Sequence, residues 1–308
     1  MNEPLPPPVI LGTGALARFW ARALRVLDPV LVGREPPVVR LAPTARAEPE
    51  PEWVPRFRSW QEPWIGPGPG VVWVLVKAPA AETAAAWLAQ LPAPPAAVVS
   101  LMNGMGYEGV LGQAAGSERL VLGVTTDAVT LDRNTNLVVV NARGETLLGN
   151  PAGRGPAGRR ARQAVEGVLK TAAGVRWRWL EEADMERARW TKLVQNAVIN
   201  PLSALTGRPN GELPDQIAWR LAPALVGEVL PVAARRGVRL GAPAEVLQAV
   251  EALARRTGPN RSSMLQDVLH RRPTEVDYIN GFVVREAGRW GLAAPTHATL
   301  TTLVRALG

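Results

Sequence analysis

From about residue 181 onward every segment of this chain carries helical spacing, whereas the first half alternates short apolar runs with helical stretches. That change of rule limits the fold more than any other feature. A strand buried on both faces of a parallel sheet reads as uninterrupted apolar residues, and Val71 to Val76 and Ala97 to Leu101 read that way. Val9-Ile10-Leu11 and Val30-Leu31-Val32 are shorter runs of the same kind. Between those two, Leu16, Phe19, Ala23, Leu24 and Leu27 fall on one helical face until Pro29 ends it. Strand and helix in alternation predict a doubly wound α/β domain. The remainder is broken only at Gly207, Pro214, Gly241-Ala242-Pro243, Thr257-Gly258-Pro259 and Gly291, which predicts helices throughout.

Two stretches follow the plan less clearly. Residues 35–70 hold nine prolines and no period, so no element is assigned there. Asn136 to Asn141 and Glu145 to Leu148 flank Arg143-Gly144 and predict a hairpin. Arg176-Trp177-Arg178-Trp179 alternates with period two, as a strand with one wet and one buried face does.

At 308 residues, with 47% hydrophobic and 20% charged, the chain has room for two ordinary globular domains. Val71 to Val76 is too short to span a bilayer, and Met1-Asn2-Glu3-Pro4 has neither the basic start nor the apolar core of a signal peptide. A cytoplasmic protein without a membrane partner is the expectation. There is no cysteine, which excludes disulfides and thiolate chemistry. His270 and His297 are the only histidines, too few for a histidine metal site, and neither stands in a nucleophile–base context. The net charge of +8 and pI of 10.9 suit any polyanionic ligand, a phosphorylated cofactor included. Basic and aromatic residues interleave at Arg56-Phe57-Arg58-Ser59-Trp60 and Arg176–Trp179, but no recognition motif accompanies them, so no nucleic-acid partner is expected.

Gly12-x-Gly14-x-x-Ala17 sits between a predicted strand and a predicted helix. Its first glycine makes the tight turn, the second lets backbone approach a pyrophosphate, and the small third residue permits close helix–strand packing. The segment Gly12, Thr13, Gly14, Ala15, Leu16, Ala17 is thereby a dinucleotide loop ending on a helix N-terminus. Gly33-Arg34 follows the second strand where an NAD enzyme would carry a carboxylate. A guanidinium there grips a 2′-phosphate and favours NADPH; the other reading is a surface arginine in a chain with 32 of them. Lys77 and Asn103-Gly104-Met105-Gly106 follow later strands, at the carboxyl ends where such sheets bind ligands. Asn103-Gly104 also reads as a plain turn.

The chain has only three lysines, and Lys192 lies in Trp190-Thr191-Lys192-Leu193-Val194-Gln195-Asn196-Ala197-Val198-Ile199-Asn200-Pro201. Lys192, Asn196 and Asn200 recur every four residues and so share one face of a helix that is otherwise apolar nearly all round. Left unpaired in such a helix, each would cost roughly several kcal/mol, so something polar faces them, a ligand being the sharpest candidate. Further on, Ser262 or Ser263 reads as a helix N-cap. Glu275 reads as a first-turn carboxylate favoured by the dipole after Pro273.

Together these residues resemble the ketopantoate reductase (2-dehydropantoate 2-reductase) family over nearly the whole chain. The resemblance is carried by the Gly12–Ala17 loop, Val76-Lys77, Asn103-Gly104-Met105-Gly106, Gly123-Val124-Thr125-Thr126 and Trp190-x-Lys192-x3-Asn196-x3-Asn200-Pro201. It continues through Asn210-Gly211-Glu212-Leu213 and Ser262-Ser263-Met264-Leu265-Gln266-Asp267…Thr274-Glu275-x-Asp277-Tyr278-Ile279-Asn280-Gly281. Residues 35–70 match the family poorly and look shortened.

The resemblance implies an N-terminal Rossmann-type NADP-binding domain over residues 1–180 and an all-α substrate and catalytic domain over 181–308, with the active site in a cleft between domains. It implies NADPH-dependent reduction of 2-dehydropantoate to (R)-pantoate, on the route to pantothenate and coenzyme A. Lys192 would give the proton to the ketone oxygen, with Glu275 as its catalytic neighbour near the nicotinamide. Asn103, Lys192, Asn196, Asn200, Asn210, Asn260, Arg261, Ser262 and Ser263 would hold substrate. Asn103, Lys77, Arg34 and backbone near Val129 would touch the cofactor along with the glycine loop. Burial would lower the lysine's pKa and Glu275 would raise it, and sequence does not decide between them. The expected protein is a monomer or homodimer acting on a small molecule. A reductase of another 2-oxo acid and a non-catalytic NADP sensor are the alternatives.

Overall fold

The computed structural model describes residues 6–42, 44, 47–132 and 134–307; Met1-Asn2-Glu3-Pro4 and, within the Pro-rich stretch, Pro43, Ala45 and Arg46 lie outside the described residues. The chain forms two compact units. One comprises Met1–Met102 and Tyr107–Met185, the other Asn103–Gly106 and Glu186–Gly308.

The first unit begins β1 (Val9–Leu11), α1 (Ala15–Ala23), β2 (Val30–Gly33), β3 (Arg40–Ala42), β4 (Arg56–Ser59), β5 (Val71–Val74), α2 (Ala81–Ala89) and β6 (Ala97–Ser100). It continues α3 (Glu108–Ala115), β7 (Leu120–Thr125), β8 (Ala128–Asp132), β9 (Leu137–Ala142), β10 (Thr146–Gly149), α4 (Pro156–Leu169) and β11 (Trp177–Trp179). Eight strands make one sheet in the order β11-β10-β7-β6-β5-β1-β2-β4. All its pairs are parallel except β10 with β7. The uninterrupted apolar strands are those buried on both faces: every residue of β1, β2, β5, β6 and β7 is buried. Trp20 of α1 stacks on Trp73 of β5 with ring centroids 4.5 Å apart, which clamps that helix to the sheet. In β11, Trp177 and Trp179 pack on the core and Arg178 is exposed, as its alternation requires.

The predicted hairpin between residues 136 and 148 does not form. β9 lies between β3 and β8 in a separate three-stranded sheet, whereas β10 belongs to the large sheet between β7 and β11. The cause is local. The Gly144 N–H donates to Asp127 Oδ1 (2.9 Å) and the Glu145 N–H to Thr126 Oγ1 (2.9 Å), which hands the following strand to β7. The true hairpin is β8 with β9, turning at Asn136, whose φ of +54° is left-handed. The Pro-rich stretch contributes β3 and β4, and an isolated antiparallel bridge between Val39 and Trp53.

The second unit contains most of α5 (Glu182–Thr206), then α6 (Ala222–Arg235), α7 (Pro243–Arg256), α8 (Ser263–Leu269), α9 (Asn280–Arg289) and α10 (Pro295–Arg305). Gly207 and Gly291 follow α5 and α9 with φ of +68° and +65°, conformations a glycine enters without a Cβ clash. Leu193, Val194, Ala197 and Val198 of α5, Leu225, Val229 and Val232 of α6, and Phe282 and Val283 of α9 share one core. Each large side chain fully buried there is worth about 1.5–3 kcal/mol. The stretch Ile217–Arg235 is long and apolar enough to cross a membrane, by length and composition alone. Here its Leu225, Val226, Val229, Val232 and Ala233 are buried in that core.

Candidate functional site

In the first unit the order of strands reverses its direction of growth at β1 and β5. Open α/β sheets bind ligands beyond the carboxyl ends of strands at such a point. Gly12 leaves β1 with φ +121°, and a Cβ on it would lie 2.9 Å from the Leu75 carbonyl oxygen, so glycine is required by conformation and by space. Around Gly14 a Cβ would meet nothing within 4 Å, which leaves its outer face open. Gly14 is also the N-cap of α1 and no side chain caps that turn, so its amides face outward as an anion cradle. Ala17 is fully buried. Arg18, largely buried, donates from Nε to the Thr13 carbonyl (3.0 Å) and from Nη1 to the Val38 carbonyl (2.6 Å) and Asn136 Oδ1 (3.1 Å), which fixes the loop from behind. Gly12 through Ala17 thus have the form that a dinucleotide's phosphates fit.

Arg34, directly after β2, is exposed and makes no ion pair or hydrogen bond to another described residue. Lys77 is half-buried and leads into the 3₁₀ turn Ala78–Ala80 after β5. Val129 lies on β8 of the three-stranded sheet, where it pairs with Val140 and packs on the core. Gly12, Arg34 and Lys77 all follow strands of the large sheet.

In the second unit three candidates meet. Asn103 Nδ2 donates to Glu275 Oε2 at 3.1 Å. The loop bearing Asn103 is held there by a bond from the Met105 N–H to the Tyr278 carbonyl (2.8 Å). Gly104, with φ +80°, has room for no Cβ: the Tyr278 carbonyl oxygen would lie 2.3 Å from it. Asn103-Gly104 is therefore a docked loop and more than a plain turn. Glu275 is 4% exposed and its carboxylate caps no helix. Instead it acts electrostatically on Lys192, whose amine is surrounded by protein although the residue keeps some surface open. Burial draws the Lys192 pKa down to about 8, against an opposing upward pull from Glu275. Desolvation wins, which answers what the sequence left open.

Asn196 and Asn200 continue the Lys192 face of α5, Asn196 half-buried and Asn200 buried. Asn210 and Asn260 are brought together: the Asn210 N–H donates to the Asn260 carbonyl (2.8 Å) and its Nδ2 to Thr257 Oγ1 (3.1 Å). Asn210 Oδ1 is buried without a partner among the described residues. Ser262 is the N-cap of α8, accepting from the Leu265 N–H at 3.1 Å, so its hydroxyl serves the helix. Arg261 and Ser263 are exposed.

Asn280 stands in the Thr274–Gly281 motif with no role read for it there, and it is fully buried. Its Nδ2 donates to the Ala197 carbonyl (2.9 Å) and to His297 Nδ1 (3.0 Å). The signal that points to it is Pro201: a proline inside a helix leaves the carbonyl four residues earlier without its donor.

Residues 9–153 match the family described as "Ketopantoate reductase PanE/ApbA", and residues 184–308 match "Ketopantoate reductase PanE/ApbA C terminal". The 2-dehydropantoate 2-reductase of Archaeoglobus fulgidus is 36% identical over 238 residues, 76% of this chain and 75% of that protein. That of Salmonella typhi is 34% identical over 68% of this chain and 64% of its own length. Among solved structures, D-mandelate dehydrogenase with NADH and anilino(oxo)acetate is similar in fold, with a TM-score of 0.84 at 22% identity, covering 97% of each chain.

Proposed function

The chain belongs to the ketopantoate reductase family, and from that premise we propose that it reduces 2-dehydropantoate to (R)-pantoate with NADPH, as a cytoplasmic enzyme of pantothenate and coenzyme A synthesis. The observation that carries the reading is an amine on a buried helix face, Lys192, with its pKa brought to about 8 beside a buried carboxylate. The Gly12–Ala17 loop would hold the dinucleotide, which when bound would supply a hydride for the C2 ketone.

Lys192 holds the ketone oxygen by a hydrogen bond that strengthens as negative charge develops, then passes its proton to that oxygen. A general acid works best with a pKa near the working pH and contributes about 10²–10⁴-fold; stabilising the developing alkoxide adds to this. Glu275 keeps the amine protonated against the desolvation that would strip it. Asn103, fixed on Glu275, directs that carboxylate. Asn196 and Asn200 offer neutral amides to the substrate's carboxylate and hydroxyl, orienting one ketone face. Asn210, with an unused buried oxygen, and the 260–263 segment line the same substrate. The Gly12–Ala17 cradle takes the pyrophosphate, and Arg34 and Lys77 take phosphate or ribose. Arg34, exposed and without a carboxylate partner among the described residues, is suited to a 2′-phosphate.

The test is turnover of 2-dehydropantoate, 2-oxoisovalerate and pyruvate, followed by NADPH absorbance. Clear preference for 2-dehydropantoate supports the reading; equal turnover of pyruvate would end the specific assignment.

A further inference from the structure

Pro201 sits inside α5, one residue after Asn200 and four after Ala197. Without an N–H it leaves the Ala197 carbonyl with no helical donor, and its ring presses against that carbonyl. Such a site bends a helix unless another group meets the freed oxygen. Asn280, the first residue of α9 and 83 positions away in sequence, supplies that group through Nδ2 at 2.9 Å.

The rest of the network says why an amide is needed. His297 Nε2 faces the Leu225 carbonyl at 3.0 Å, and a carbonyl only accepts, so the ring proton lies on Nε2 and Nδ1 must accept. Burial lowers the His297 pKa, which keeps the ring neutral and Nδ1 free to accept. Both N–H bonds of the Asn280 amide are then used, one on Ala197 and one on His297. Its Oδ1 is buried with no partner among the described residues. An unsatisfied buried oxygen is a cost to stability, so what this side chain contributes lies in the two bonds its nitrogen donates. α10, which carries His297, is itself anchored on α6: the Thr296 and His297 N–H groups donate to the Glu228 carboxylate at 2.9 and 3.1 Å. The donor aimed at α5 is thus mounted on a rigid frame.

We propose that Asn280 is a positioning residue for substrate, replacing the helical donor that Pro201 removes and so fixing Asn196 and Asn200 relative to Lys192. Ala197 adjoins Asn196 and Pro201 adjoins Asn200, so the point Asn280 holds lies between the two amides. This inference rests on the reading of α5 as the substrate helix.

The experiment is a double-mutant cycle of Asn280→Leu and Pro201→Ala. Leucine keeps the approximate shape of the side chain and removes both donors; alanine at 201 restores the helical N–H to Ala197. The expected result is a rise of ten-fold or more in KM for 2-dehydropantoate in N280L, with the Kd for NADP⁺ within two-fold of the wild type. Adding P201A should recover most of that loss. Unchanged kinetics in N280L, or a loss that P201A does not relieve, would overturn the proposal. If N280L gives no soluble protein, Asn280→Ala takes its place in the cycle. Should the wild-type chain fail to reduce 2-dehydropantoate at all, the proposed function falls. The Tm values of the same four proteins then decide the structural link, with non-additive shifts supporting it and additive shifts refuting it.

Discussion

Asn103 and Glu275 are 172 residues apart in sequence and joined side chain to side chain at 3.1 Å. One lies on a docked loop and the other heads the 3₁₀ turn Val276–Tyr278, and the carboxylate so fixed is the one that acts on Lys192. A buried carboxylate is tolerated only when paired and hydrogen-bonded, and this pairing meets that condition from two directions.

Gly104→Ala should dislodge the loop, because the new methyl would fall 2.3 Å from a backbone oxygen at a φ of +80°. The expected cost is on the order of 1–3 kcal/mol of stability, visible as a lower Tm, with kcat/KM for 2-dehydropantoate falling further than stability alone explains. An unchanged Tm would mean that the loop is not docked this way.

Lys192→Met should lower kcat by about 10²–10⁴-fold without lowering the Tm. The sign follows from linkage. With its folded pKa at about 8, below the ordinary 10.5, the native state binds fewer protons than the unfolded chain between those values. Wild-type stability therefore rises with pH across that window, while below it the buried ammonium is a burden. Denaturant unfolding at several pH values should show this rise in the wild type and not in K192M.

Arg34→Ala should reduce the preference for NADPH over NADH. A charge-assisted hydrogen bond is worth about 1.5–3 kcal/mol, so the ratio of kcat/KM values should fall by about ten-fold or more. A ratio unmoved by the substitution would return Arg34 to the ordinary surface.

Part of this was legible in the sequence. The doubly buried strands, the glycine turn and the Lys192–Asn196–Asn200 face follow from period and spacing, which local residues encode. β3 and β4 were not legible, since strands of three and four residues among prolines show no period. The expected β9–β10 hairpin does not form because alternation marks a strand but not its partner, and Thr126 and Asp127 choose the partner. Asn280 is visible in the sequence as part of the Thr274–Gly281 motif but not in its role, because a side chain that meets a carbonyl on another helix leaves no local pattern; Pro201 is the only sign that some donor is needed.

The most direct measurement is the pH dependence of kcat/KM for 2-dehydropantoate in the wild type and in Glu275→Gln. With Lys192 donating in its protonated form, the wild-type rate should hold below pH of about 8 and fall above it. Removing the Glu275 charge removes the upward pull on Lys192, so the falling limb should move to lower pH in E275Q. A wild-type profile with no alkaline limb, or a limb that moves to higher pH in E275Q, would contradict Lys192 as the proton donor.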